Sequence, residues 1–122
     1  MITDIRTVGV PVTDQDQAID FFVGILGFEK RMDAPLDATT RWIEVAAPGA
    51  TTSVALVKGL GTPEPGADTG VRFVVPDATA EYQRLVDGGV TTGELLDWDG
   101  APPMFTFDDL DGNRFYVVEA GA

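Results

Sequence analysis

Cysteine and histidine are both absent from the 122 residues of this chain. Without cysteine there is no disulfide, no thiolate nucleophile and no thiolate metal ligand. Without histidine the usual neutral-pH general base is missing, and the Ser-His-Asp triad with it. A metal would need an all-oxygen site, which favours Mg, Ca or Mn. Positive charge is scarce: 8 Lys and Arg stand against 20 Asp and Glu, a formal net charge of −12. Phosphate recognition needs clustered cations, so nucleic acid and anionic membrane surfaces are not expected partners. The acidic surface reads as a solubility feature, with attraction of a cationic ligand as the alternative. No apolar run approaches the roughly 18 residues of a membrane span. A basic stretch followed by an apolar one, the mark of a signal peptide, is also missing at the N-terminus. The expectation is a cytoplasmic protein.

What is present suits one domain over residues 1–122, because 44% of the residues are hydrophobic. Val8, Val10 and Val12 alternate, as in a strand. Asp14 then opens a helix, with Gln17 three residues on in a capping-box arrangement. Ile19, Phe22, Val23 and Leu26 form its predicted apolar stripe, and Gly27 its stop. Strands are expected at 28–32, 41–46 and 53–58, followed by a Gly/Pro-rich linker at 59–68. The same order then recurs. Val71, Phe73 and Val75 mark a strand, and Asp77 opens a helix with Tyr82, Leu85 and Val86 on its stripe. Strands follow at 90–95, 104–108 and 114–119, with Asp111-Gly112 as a hairpin-turn signal. Val8, Val12, Asp14, Ile19, Phe22 and Val23 match Val71, Val75, Asp77, Tyr82, Leu85 and Val86 at one constant spacing. The chain therefore reads as α+β: two βαβββ repeats, at about 1–58 and 69–122, forming a curved mixed sheet around a cleft. A helix would lie on each outer face.

This paired order resembles the vicinal oxygen chelate superfamily, which includes glyoxalase I, bleomycin-resistance proteins and extradiol dioxygenases. Three stretches carry the resemblance. They are the opening from Val10-Pro-Val-Thr-Asp through Ala18-Ile-Asp-Phe-Phe to Leu26-Gly-Phe, the strand Arg41-Trp-Ile-Glu-Val, and the turn Asp109-Leu-Asp-Gly-Asn-Arg-Phe. In the turn, Leu110 stands where the family usually has proline. The resemblance implies four metal-ligand positions, which fall here on Thr7, Ala55, Gly70 and Tyr116. None is a usual ligand, so no metal and no cofactor are expected. The fold hosts several chemistries and does not by itself name an activity.

Strand alternation assigns Thr7, Gly9, Pro11, Trp42, Glu44, Ala55, Val57, Arg72, Val74, Met104, Thr106, Arg114 and Tyr116 to the cleft. An apolar and aromatic lining with a few polar groups is the usual character of a small-molecule pocket. Trp42 reads as a stacking platform or as core. Arg72 reads as a receptor for a carboxylate or enolate, or as the salt-bridge partner of Glu44. Glu44 is otherwise a general-base candidate, and Tyr116 a hydrogen-bond donor or a packed rim residue. Asp108, Asp109, Asp111 and Asn113 cluster like calcium ligands but lack the EF-hand loop, so the hairpin reading is preferred. Gly59, Gly61 and Gly66 precede no GK[ST] and make no phosphate loop. Trp98 falls in a loop expected near a cleft edge. The expected function is metal-independent small-molecule binding of the glyoxalase/bleomycin-resistance type, with antibiotic sequestration as its specific form. A lyase or isomerase acting on a small oxygenated substrate, or a non-catalytic regulatory module, are the alternatives. The expected partners are a small-molecule ligand and a second copy of the chain in a homodimer.

Overall fold

A computed structural model describes residues 1–121. The chain divides into two compact units, Met1–Pro65 and Gly66–Ala122. Each carries one four-stranded mixed sheet.

In the first unit β1 (Thr7–Pro11) leads into α1 (Gln15–Ile19), then β2 (Glu29–Pro35), β3 (Arg41–Ala46) and β4 (Ser53–Val57). The strand order is β1-β4-β3-β2, with β1 and β4 parallel and the other pairs antiparallel. Val10, Ile43, Val45, Val54 and Leu56 are buried, as the alternation requires. Asp14 caps α1 by accepting the Gln17 N–H at 2.9 Å.

The helix departs from the expected stripe. Beyond Ile19 it widens into a π-helical segment, Asp20–Ile25, in which Leu26 N–H donates to Phe21 O at 3.0 Å. One residue more per turn places the neighbours Phe21 and Phe22 both in the core. Ile19, Val23 and Leu26, expected to be buried, are only half-buried in consequence. Gly27, at φ 82°, then ends the segment in a conformation suited to glycine. Gln15 is buried at the helix start. Its amide donates to Arg41 O at 2.6 Å and Leu56 O at 2.9 Å, and its carbonyl accepts Arg41 N–H at 3.1 Å. That side chain fastens α1 to β3 and β4.

The second unit repeats the plan with β5 (Asp68–Val75), α2 (Ala78–Asp87), β6 (Thr91–Thr92), β7 (Met104–Asp108) and β8 (Arg114–Glu119). The order is β5-β8-β7-β6, and β5 and β8 are parallel. Asp77 caps α2 through the Ala80 N–H at 3.0 Å, as Asp14 caps α1. Inward from α2 face Ala78, Tyr82 and Leu85, and the Tyr82 ring meets Phe105 edge-on at 5.3 Å. Val86, placed on the stripe by the sequence, is instead exposed: so short a helix covers only a narrow strip of sheet. Phe73, Phe107 and Phe115 stack with centroids 5.3 to 6.3 Å apart and form the centre of this core.

Two boundaries differ from expectation. The strand expected at 90–95 shrinks to Thr91–Thr92, and beyond it the chain runs so close to Thr106 that only glycine fits at position 93. Pairing is nevertheless kept by Gly93 N–H to Thr106 O at 2.8 Å and by a bridge between Leu96 and Met104. The strand expected at 28–32 runs on to Pro35, paired with β3 through a bulge between Lys30 and Met32.

Candidate functional site

The first sheet gathers Thr7, Trp42, Glu44 and Ala55 on one face. The register pairs Thr7 with Ser53 and Glu44 with Ala55, so β1, β3 and β4 present these side chains together. Glu44 is 5% exposed and its carboxylate is fully engaged. The Ser53 hydroxyl donates to Oε1 at 2.7 Å, and the Trp42 indole N–H donates to Oε2 at 2.8 Å. Arg6, an exposed side chain, reaches Oε2 only at 3.4 Å. The Ser53 hydroxyl, then the Trp42 N–H, hold the Glu44 carboxyl below its ordinary pKa against the opposing effect of burial. Thr7 Oγ1 donates to Ser53 O at 3.2 Å.

On the second sheet a different set comes together. Asp68, Gly70, Arg72 and Val74 of β5 are exposed, while the residues between them are half-buried. Register pairs Arg72 with Tyr116, Thr106 with Tyr116, Met104 with Val118, and Arg114 with Asp108. Arg72, Val74, Met104, Thr106, Arg114 and Tyr116 therefore share one face. The Arg72 guanidinium lies 4.3 Å from the Tyr116 ring centroid and donates to Gly70 O at 2.8 Å. The Tyr116 hydroxyl donates to Asp68 Oδ2 at 2.5 Å. That bond lowers the pKa of Asp68 and raises that of Tyr116. Arg114 is paired with Asp108 at 3.1 Å.

Glu44 and Arg72, weighed above as a salt-bridge pair, each find partners within their own unit. Glu44 takes its donors from its own unit, and Arg72 forms no salt bridge among the described residues, its charge acting on Asp68 through space. Strand alternation placed Trp42 and Glu44 on one face but did not reveal that the indole N–H is bonded to the carboxylate. Ser53, Asp68 and Arg6 went unnoticed. Asp68 stood in the presumed linker, and Ser53 becomes Glu44's donor only once β3 and β4 are in register.

The four metal-ligand positions do not fit a metal. Ala55 and Gly70 offer no donor atom, the Thr7 hydroxyl is spent on Ser53 O, and the Tyr116 hydrogen is spent on Asp68. Among the described residues no three carboxylates, imidazoles or thiols are grouped to hold an ion. The Asp109 cluster is a turn instead, built on its carboxylate. Asp109 Oδ1 accepts Asp111 N–H at 3.0 Å and Asn113 N–H at 2.9 Å, and Oδ2 accepts the Asn113 amide at 2.9 Å. Burial, opposed by these donors, raises the Asp109 pKa.

The depressed carboxylates make an acid-stability prediction. Asp37, accepting Thr39 and Thr40 N–H at 2.8 Å each, is lowered to about 2, and Glu44, Asp68 and Asp33 are lowered too. A carboxylate more acidic when folded adds stability above its unfolded pKa, and that stability is lost as pH falls through the folded value. Asp109 acts oppositely, its contribution fading as pH rises through its raised pKa. The melting temperature should hold from neutral pH and then fall as pH drops below 4.5 and 3.8, the ordinary Glu and Asp values. Melts at stepped pH check this, and a profile flat through that range contradicts it.

The comparisons with known proteins agree with this architecture. The family model described as the Glyoxalase/Bleomycin resistance protein/Dioxygenase superfamily matches residues 4–117. A solved member of that superfamily from Sphaerobacter thermophilus DSM 20745 is 35% identical, with a TM-score of 0.90 over 98% of both chains. TnmS3, an antibiotic binding protein from Streptomyces sp. CB03234, is 32% identical, with a TM-score of 0.87 over 98% of both chains. YetH of Bacillus subtilis (strain 168), an uncharacterized protein, is 31% identical over 98% of this chain and 100% of its own. The chain belongs to the glyoxalase/bleomycin resistance protein/dioxygenase superfamily.

Proposed function

We propose that this chain binds a small organic molecule without a metal, as an antibiotic-sequestering protein does, and works as a homodimer. The observation that carries the reading is Arg72. Its guanidinium lies over the Tyr116 ring, forms no salt bridge among the described residues although Asp68 acts on it through space, and stands in an exposed row with Val74. A fork held in place beside apolar side chains suits a flat molecule bearing a carboxylate or enolate. Similarity to an antibiotic binding protein over 98% of the chain supports the same reading.

The alternative, a lyase or isomerase, needs a proton acceptor. Glu44 is held ionised by its donors, and a carboxylate so stabilised is a weak base. The Tyr116 hydrogen is already given to Asp68. Binding is therefore the reading the geometry favours.

A thermal-shift series with bleomycin, substituted benzoates and small aliphatic carboxylates tests it. A ligand that binds only the native state raises the melting temperature. At least one compound should do so, and calorimetry should then give its affinity. For a bound carboxylate, Arg72→Ala should cost about 1.5–3 kcal/mol of binding, the scale of a charge-assisted hydrogen bond. It should lower the ligand-free melt only slightly, since Arg72 is exposed and loses only its contacts to Tyr116 and Gly70. No shift with any compound would overturn the proposal. Equal affinities for wild type and Arg72→Ala would remove Arg72 from the site.

A further inference from the structure

We infer that Glu44 is a positioning residue that locks the Trp42 indole in place and makes its face selective for electron-poor aromatic rings. This deepens the binding function proposed above and rests on it. Trp42 is half-buried on β3, and its cross-strand neighbour on β2 is Ala34, a side chain too small to cover a ring. No ring contact is found for Trp42 among the described residues, although the phenylalanines of both units pair extensively. The indole is nevertheless fixed at its edge, because Nε1–H donates to Glu44 Oε2 at 2.8 Å. Glu44 is fixed in turn. It is buried, and the Ser53 hydroxyl holds its other oxygen at 2.7 Å. A partly open ring, held in one plane by a buried relay, is a prepared surface.

The relay also sets the preference. An aromatic ring has a negative face, and an ionised acceptor on the indole N–H polarises electron density further into it. Arg6 weakens this little, being 3.4 Å from the carboxylate with a side chain 74% exposed. A face so enriched attracts rings whose own faces are electron-poor, such as nitroarenes or quinones.

The test uses two nearly isosteric carboxylates, 3,5-dinitrobenzoate and 3,5-dimethylbenzoate. A Trp98→Phe background leaves Trp42 as the only tryptophan, since the chain has 2. Binding is read by calorimetry and by quenching of Trp42 emission, and indole mobility by time-resolved anisotropy. Dinitrobenzoate should bind about three- to tenfold tighter, the range an aromatic pair contributes. Glu44→Gln keeps an acceptor oxygen but removes the charge. It should bring that preference to about one while moving dimethylbenzoate affinity less than about twofold. Ser53→Ala frees the carboxylate and should raise indole mobility without ligand. A purely structural Glu44 would weaken both probes equally and leave their ratio intact, and that outcome overturns the inference. Should Glu44→Gln not fold, Ser53→Ala decides: unchanged mobility and unchanged preference overturn it as well. If neither benzoate binds while another compound of the thermal-shift series does, this inference falls and the binding function stands. If nothing binds, both fall.

Discussion

Phe115→Ala is expected to be the most damaging single substitution in the second unit, costing about 3–5 kcal/mol of folding stability. The side chain is fully buried, with Phe73 5.5 Å and Phe107 5.3 Å away in a triangle of rings. Truncation removes the transfer energy of the ring and leaves a cavity bounded by two aromatic faces. Those faces belong to β5 and β7, and β8 hydrogen-bonds to both. The strands therefore cannot close the gap without breaking the sheet. Chemical denaturation should show a lower midpoint with little change in slope. A loss under about 1 kcal/mol would mean that the site collapses freely, against the packing argued here.

Asn113→Ala should cost about 3 kcal/mol although it removes only one amide. Asn113 is 1% exposed. Its Oδ1 accepts Gly66 N–H at 2.9 Å, and its amide donates to the buried Asp109 carboxylate at 2.9 Å. Alanine withdraws both partners at once. The buried Asp109 carboxylate is then left short of a bond away from bulk water, where an unmet polar group is expensive, while the Gly66 N–H loses its partner on an exposed residue. Asn113→Asp is the sharper comparison. It keeps the shape and the acceptor but sets a second negative charge against Asp109, so it should be at least as harmful near neutral pH and partly relieved in acid. Melts of both variants at pH 7 and 4 decide it. Equal, small losses for the two would show that the turn is held by its backbone alone.

Where the fold was readable, the cause was local. The capping aspartates Asp14 and Asp77 announce their helices because a short carboxylate next to free N–H groups has few better uses. Alternation gave β1, β3 and β5 with their faces, and Asp111-Gly112 gave the last hairpin, with Gly112 at φ 77°. What stayed hidden depends on pairing across the chain. Gln15 looks like an ordinary first-turn polar residue until β3 and β4 bring carbonyls within its reach. The π-helical segment arises because Phe21 and Phe22 both go inward, which a regular period cannot express. The sequence-level assignment of Glu44 to Arg72 matched two opposite charges by type. The shorter bonds to Glu44 come from Ser53 and Trp42, which are neutral, so a reading by charge passes over them, and the charged Arg6 reaches it only at 3.4 Å.

Both units close the same way: the first strand finds its only partner in the last, β1 in β4 and β5 in β8. On the ribosome this imposes an order. Thr7–Pro11 leaves the exit tunnel early but stays unpaired until Ser53–Val57 has emerged, and Asp68–Val75 waits in the same way for Arg114–Glu119. Such distant pairing is slow to form, because a long loop must close before the contact is gained. Synthesis therefore delivers this chain in two instalments. Each is held open until its final strand arrives.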